Sequence, residues 1–224
     1  TYRILPFLKC NGVREIDYWF VSHADADHVS GLKEILEEGY SVDNLVFAEG
    51  VVRDEAYEEL VSLAEKMGVE VLHMGYLDCL HLGDARLTCI FPYDDFKTED
   101  KNAASLVLYY QDGEFDGIFT GDIGTDEEKW IAKHCEEWLG NAGIDFYKVA
   151  HHGSKYSNST MILETLRPQY AVVSAGVNNW YGHPHKDTLE RLDVAGCEVW
   201  NTAEWGQVII EMKEKGVWIY EFRK

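Results

Sequence analysis

The sequence predicts an α+β fold in which two sheets are covered by helices. Three observations carry that expectation. Strands and helices alternate over the first third of the chain. The middle and the C-terminus are strand-rich and close in tight turns. Polar clusters recur where an apolar strand gives way to a helix, and a rigid strand end is a good place to aim several side chains at one point.

In chain order, Tyr18-Trp19-Phe20-Val21 is wholly apolar and reads as a buried strand. A helix follows with apolar positions at Leu32, Ile35 and Leu36, and Gly39 stops it. Residues 45–47 read as a short strand. Residues 54–67 form a helix whose stripe is Ala56, Tyr57, Leu60, Val61, Ala64 and Met67, ended by Gly68. Residues 69–72 are the next strand. Strands over 86–91, 105–110 and 116–120 follow, the last two joined at Asp112-Gly113. Residues 125–139 read as a helix capped by Thr125, with acidic residues in its first turn. Then come a strand over 145–150, a helix over 158–166 that ends before Pro168, a strand over 170–174 and a helix over 187–194. Strands over 198–201, 207–212 and 217–222 close the chain, the last pair turning at Lys215-Gly216.

At 224 residues and 46% apolar composition the chain suffices for one sizeable core, and a single domain over 1–224 is expected. It contains no apolar run of about 18 residues, the length a membrane-spanning helix needs. Residues 1–10 are too short and mixed for a signal peptide. The chain starts at Thr1 without a Met, as an excerpt or a processed fragment would. The five cysteines are scattered and odd in number, with no CxxC pair, so neither a disulfide framework nor a thiolate zinc site is indicated.

The net charge of −20 argues against non-specific nucleic-acid binding by the whole surface. That charge is uneven. Residues 1–144 carry 11 Lys/Arg against 30 Asp/Glu, whereas residues 145–191 carry 5 against 4 and four histidines besides. An anionic substrate is tolerated in the second stretch if metal ions add positive charge.

The chemistry concentrates in Ser22-His23-Ala24-Asp25-Ala26-Asp27-His28. Four metal-capable side chains fall within six residues, with no Lys or Arg among them, so they repel one another unless a cation is present. In an extended loop alternate residues point the same way, so His23, Asp25 and Asp27 are expected to converge and His28 to turn toward a second point. Three later stretches share the grammar of strand then polar cluster: Thr120-Gly121-Asp122, Val149-Ala150-His151-His152-Gly153-Ser154, and Tyr181-Gly182-His183-Pro184-His185. An isolated Gly-Asp is more often a turn, and a lone His a packed one. Six of nine histidines in three such clusters shift the balance toward metal binding. His73, His81 and His134 have no such context and read as structural or exposed. No GxSxG elbow and no Gly-rich phosphate loop is present.

These motifs resemble those of the metallo-β-lactamase superfamily. His23-Ala-Asp25-Ala-Asp27-His28 resembles its HxHxDH motif with Asp25 in place of the second His, Asp122 its bridging aspartate, and His183 its final His ligand. The SHxDxDH form, Asn102-x-x-Ser105, Lys148-x-x-His151-His152-Gly153-Ser154 and Tyr181-Gly182-His183-Pro184-His185 look like the β-lactamase-like domain of ComEC-type DNA-uptake competence proteins. The family's DVGQGD-like opening strand pair has no counterpart, and neither does the His that many members place before the bridging Asp.

The resemblance implies a four-layer αββα sandwich, short of its first strands, with its site at one edge. It implies two divalent ions, manganese or zinc with magnesium as a third candidate. His23, Asp25, Asp27, His28, Asp122, His151 and His183 would be their ligands, either of the 151–152 pair serving. The Asp at position 25 and the lack of a thiolate favour the harder ions. Asp27, together with His152 or Lys155, would carry catalysis, the latter two as proton donor or anion binder. Ser154, His185, Asn102 and Ser105 would meet substrate. The implied activity is that of a phosphodiesterase or nuclease acting on DNA through metal-activated water. The other readings are a hydrolase of a small phosphodiester, thioester or lactone, and a non-catalytic domain that keeps the fold. The implied partners are DNA or another anionic phosphodiester, and the membrane-embedded domains of a parent competence protein. The location would then be outside the membrane; unpaired cysteines suit the cytosol instead. Oligomeric state is not legible.

Overall fold

A computed structural model describes residues 4–140, 143–213 and 216–222. The chain divides into two compact units, where the sequence suggests one domain. The first comprises residues 1–78 and 91–106, and the second 79–90 and 107–224.

The first unit is built on three parallel strands, β1 (Glu15–Phe20), β2 (Ser41–Ala48) and β3 (Glu70–Met74), in the order β1-β2-β3. Parallel neighbours need crossover helices, and α2 (Ala26–Glu37) and α3 (Glu55–Lys66) supply them. Leu32, Ile35 and Leu36 of α2 and Leu60 and Ala64 of α3 are wholly buried with Leu45 and Phe47 of β2. Each large side chain removed from water there contributes about 1.5–3 kcal/mol. Asp54 caps α3 by accepting from Tyr57 N–H at 3.0 Å. That bond first, and Lys101 after it, holds the Asp54 carboxyl below the usual carboxylate range. A helix the sequence reading did not mark, α1 (Ile4–Cys10), lies against α2. Gly31 leaves room for it, since a Cβ there would come within 2.8 Å of Ile4 Cδ1.

His73 behaves as the structural histidine its context implies. Its Nε2 lies 2.9 Å from the Tyr57 hydroxyl, and its ring lies 6.0 Å from that of Phe47. Burial pushes its imidazole below the ordinary value. A base with a depressed folded-state pKa stabilises the fold above its unfolded value and loses that contribution as pH falls. The urea midpoint is therefore expected to drop below about pH 6.5, and His73→Gln to flatten that slope. An unchanged slope in the variant would assign the acid sensitivity elsewhere.

The second unit carries a seven-stranded sheet in the order β10-β9-β8-β7-β6-β5-β4. Its members are β4 (Cys79–Leu82), β5 (Ala85–Phe91), β6 (Val107–Asp112), β7 (Phe115–Phe119), β8 (Phe146–Lys148), β9 (Tyr170–Val173) and β10 (Glu198–Asn201). β10, β9, β8 and β7 run parallel, while β6–β7 and β4–β5 are antiparallel hairpins. The sheet is mixed, as the alternation of hairpins and helices predicts. The helices are α4 (Thr125–His134), α5 (Thr160–Leu166), α6 (Lys186–Val194) and the short α7 (Thr202–Trp205). β11 (Gln207–Lys213) and β12 (Gly216–Phe222) form a separate antiparallel pair. Lys215 of the expected turn lies outside the described residues.

Several boundaries differ from the sequence reading for local reasons. β8 stops at Lys148, not 150, because the backbone turns left-handed at His151 and His152. α5 begins at Thr160, not 158, with Ser159 as its cap, because Asn158 is itself left-handed at φ 61°. α4 is capped at Gly124, whose N–H donates to Glu127 Oε2 at 2.9 Å, and after His134 it tightens into a 3₁₀ turn. Among the described residues no helix is long and apolar enough to cross a membrane.

Candidate metal centre

Each unit gathers its own cluster of imidazoles and carboxylates at the carboxyl end of a strand. In the first unit β1 feeds Val21, whose N–H donates to Val46 O, and the chain then leaves the sheet through Ser22. Leu106 N–H donates to Ser22 O at 2.8 Å and ties the 100–105 loop to this exit. The extended stretch ends at Asp25, the N-cap residue of α2. Asp27 and His28 lie in the helix's first turn, so strict alternation holds for His23 and Asp25 only.

The result is two pairs. His23 Nε2 lies 3.7 Å from Asp25 Oδ2, and His28 Nε2 lies 3.8 Å from Asp27 Oδ2. The two rings are 4.0 Å apart. Ser22 Oγ sits between them, 3.2 Å from His23 Nδ1 and 3.0 Å from His28 Nδ1. Ser105 Oγ is 3.3 Å from His23 Nδ1. Hydroxyl contacts at Nδ1 orient an imidazole and commit Nε2 as its outward atom. Asp25 makes no capping bond; its carboxylate instead pairs with Lys101, which also reaches Asp54 at 3.1 Å. These two carboxylates, Asp25 first, hold the Lys101 ammonium above the ordinary lysine value.

In the second unit β7 ends at Phe119, and Gly121, at φ 56°, swings Asp122 into the protein, where it is 4% exposed. Beside it the chain after β8 makes an unusual turn. His151 and His152 both have positive φ, 48° and 53°, and Gly153 follows at 88°. A left-handed non-glycine residue costs about 1–2 kcal/mol, so this turn must be held from outside. His151 N–H donates to Gly121 O at 3.1 Å, and Ser154 N–H to His151 O at 2.8 Å. Gly153 has no alternative: a Cβ there would lie 2.5 Å from Pro184 Cβ.

The strained turn aims both rings at one carboxylate. Asp122 Oδ2 is 3.8 Å from His151 Nε2 and 3.5 Å from His152 Nε2. His152 Nδ1 is anchored 2.7 Å from Ser174 O. His183 enters from the loop before α6, clamped by Asn179, which accepts from its N–H and donates to its carbonyl. Its ring lies 5.7 Å from His151 and 6.4 Å from His152. Burial, with repulsion from the neighbouring imidazoles, holds His183 down at about 4, so it is neutral at pH 7, the form that ligates a metal.

Two of the four expected substrate contacts turn out to be buried. Ser105 is 0% and Ser154 3% exposed. Ser105 Oγ lies 3.3 Å from His23 Nδ1, and Ser154 Oγ accepts from Tyr156 N–H at 3.3 Å. His185 Nδ1 accepts from Lys155 N–H at 3.2 Å. Asn102 is half-buried, its N–H donating to Asp100 Oδ1. Lys155 is exposed with its Nζ over the Tyr156 ring.

Residues that sequence reasoning passed over hold the turn in place. Asn158 Oδ1 accepts from Ala150 N–H (2.9 Å) and from the Tyr147 hydroxyl (3.0 Å), and its Nδ2 donates to Ala150 O (3.0 Å). Glu128, wholly buried in α4, accepts from the N–H groups of Asn158 and Ser159. Arg191 of α6 donates to the carbonyls of Asn158 and Ser157. The available signals were a charge on the apolar face of each helix and an Asn four residues beyond the His-His-Gly-Ser stretch.

Imidazole Nε2 atoms 3.5–3.8 Å from carboxylate oxygens are too far for hydrogen bonds. They are well spaced for atoms that share a cation, with ligand bonds of about 2.0–2.2 Å. The donor set of imidazole and carboxylate, each ring steadied at Nδ1 or by its neighbours, fits divalent metal.

No protein-family model matches the chain. It is 32% identical over 212 residues to ComE operon protein 3 of Bacillus subtilis, covering 95% of this chain and 26% of that protein. It is 30% identical over 220 residues to Recombination protein 2 of Haemophilus influenzae, covering 98% of this chain and 25% of that one. Competence protein ComA of Neisseria gonorrhoeae is 28% identical over 219 residues. The chain thus spans about a quarter of the length of these relatives. Among solved structures, CmlA, a diiron β-hydroxylase from Streptomyces venezuelae, matches with a TM-score of 0.56 at 14% identity, over 83% of this chain and 43% of that one. That likeness speaks for the fold alone. The motifs and the relatives agree: the chain is a domain of the ComEC type, and its fold is of the metallo-β-lactamase kind.

Proposed function

We propose that this domain is a metal-dependent phosphodiesterase that cleaves DNA. One observation carries the reading: in both units imidazoles steadied by hydroxyl or carbonyl contacts present Nε2 to a carboxylate at cation-sharing distance. His23, Asp25, Asp27 and His28 are the proposed ligands from the first unit, and Asp122, His151 and His183 those from the second. Bound divalent ions would supply an activated water near neutral pH and positive charge for the attacked phosphate. The abundance of carboxylate ligands and the lack of a thiolate favour manganese over zinc.

The chain's own residues do the remaining work. His152, whose Nδ1–H donates to Ser174 O, presents Nε2 toward Asp122, and only in its doubly protonated form would it give a proton there to the departing oxygen. Exposed Lys155 offers a mobile ammonium to a phosphate oxygen. Ser22, Ser105 and Asn158 keep the imidazoles in register. The names of the relatives, which refer to competence and recombination, support DNA as the substrate. The 30 acidic residues within 1–144 favour the second reading, a small phosphodiester or other ester.

Elemental analysis followed by two assays tests this. The purified domain is expected to take up manganese, to hydrolyse bis-p-nitrophenyl phosphate, and to cleave single-stranded DNA. DNA left intact with every divalent metal, while the small ester is hydrolysed, would transfer the assignment to the second reading. Absence of metal and of both activities would leave only a binding domain.

A further inference from the structure

Trp180 stands almost wholly in water. It is 97% exposed, on the turn between β9 and α6 that also carries Val177 at 69% and Tyr181 at 74%. Single exposed apolar residues are ordinary; a Trp and a Tyr side by side, both mostly in water, call for a ligand. The turn is also joined to the imidazole cluster. The Tyr181 ring lies stacked on His183, 5.7 Å away and 23° from parallel. His183 in turn lies 4.8 Å from His185, whose Nδ1 accepts from the N–H of Lys155. Beyond Lys155 comes Tyr156, a third exposed aromatic at 71%, with the Lys155 ammonium 5.1 Å above its ring.

The charge pattern is an independent observation. The chain has 40 acidic residues, yet between Asp145 and Asp187 there is only one, Glu164. The same interval holds Lys148, Lys155, Arg167 and Lys186 with four histidines. A stretch cleared of carboxylates in so acidic a protein suits an anionic ligand, and the exposed rings suit one with flat faces. Single-stranded nucleic acid has both. A duplex hides its base faces, and an acidic peptide or a lipid headgroup has no series of flat groups to stack.

We propose that Trp180 and Tyr181 form a stacking platform for unpaired bases, beside the histidine cluster of the second unit. This rests on the phosphodiesterase reading and adds to it the strandedness of the substrate and the side chains that select it. The platform grips base faces whatever their sequence, so it discriminates single strands from duplex but not one base composition from another.

The test is binding by the whole domain in the presence of a chelator, read by fluorescence anisotropy. The probes are a labelled oligothymidylate of about 12 nucleotides, an abasic strand of the same length and charge, and a duplex. Oligothymidylate is expected to bind about tenfold more tightly than either of the others, the weight of one stacked base. Trp180→Ala is expected to erase most of that advantage and Trp180→Phe to keep it. Trp180 is exposed, so both variants should melt with the parent. Equal affinity for the three probes, an unaltered preference in Trp180→Ala, or no binding at all would each overturn the proposal, the last leaving the aromatic turn to a protein partner. The chelator stops turnover, so this result is separate from the hydrolase reading, which stands or falls on metal uptake and ester hydrolysis.

Discussion

Replacing Asp122 by Ala is expected to abolish the manganese-dependent rise in melting temperature and to lower ester hydrolysis by more than about 100-fold, the upper range for losing a mere outer-sphere partner of a metal ligand. The argument is one of burial. Asp122 is 4% exposed and lies 3.5–3.8 Å from two imidazole Nε2 atoms. A buried carboxylate is costly unless a cation or hydrogen-bond donors compensate it. Ion at about 100 times its Kd adds about 2.7 kcal/mol to stability, which is roughly 5–10 °C for a chain of this size. The chelator-treated Asp122→Ala protein should melt no lower than the chelator-treated parent, because the costly charge is gone. Asp27 makes the contrast: its side chain is 63% exposed, so Asp27→Ala should reduce activity and metal uptake while moving chelated stability by no more than about 0.5 kcal/mol. An Asp122→Ala protein that still gains stability from manganese would remove Asp122 from the ligand set.

That contrast also shows what could be read before folding. His23, Asp25, Asp27 and His28 crowd into six positions, so their mutual repulsion is visible in the sequence itself. Asp122 and His183 are legible for a different reason: Asp122 follows a short apolar strand, whose tip is where a sheet exposes groups, and His183 lies in a His-Pro-His loop between a strand and a helix. What stayed hidden depends on distance in sequence. Lys101 neutralises Asp25 from the far end of the first unit's sequence, and nothing near position 101 announces it. The burial of Ser105 against His23 is likewise hidden, because it depends on the backbone bond between Leu106 and Ser22. Strand order follows the same rule. Of the two hairpins of the large sheet, β6–β7 is legible from Asp112-Gly113, whereas β4 and its turn into β5 carry no comparable signal and lie outside the sequence reading. The side-by-side placement of β7, β8 and β9 depends on helices whose packing no single segment encodes. Helix α1 lacks the length to show a periodicity, and it was missed.

The frame under the histidine turn carries the largest expected effect on stability. Asn158→Leu removes the donor and acceptor that satisfy Ala150 N–H, Ala150 O and the Tyr147 hydroxyl, all inside a buried region. Leaving a buried polar group unsatisfied costs about 1–3 kcal/mol each. Leu also tolerates the φ of 61° at this position less well than Asn does. Together these put the loss at about 3–5 kcal/mol, a large fraction of a typical domain's total. Glu128→Gln separates the frame's shape from its charge. Burial pushes the Glu128 carboxyl above its usual range, against the N–H donors of Ser159 and Asn158 and the nearby Arg191. An acid with a raised folded-state pKa is most stabilising when protonated and loses that contribution as pH climbs through the folded value. A neutral amide keeps one of the two acceptor oxygens and turns its NH2 toward the other N–H, so Glu128→Gln is expected to cost about 1–3 kcal/mol, and less at neutral pH than in acid when compared with the parent. Urea unfolding of both variants against pH measures this. If Asn158→Leu unfolds within about 1 kcal/mol of the parent, near the mean cost of an arbitrary substitution, the left-handed His151-His152 turn is held by something other than this frame.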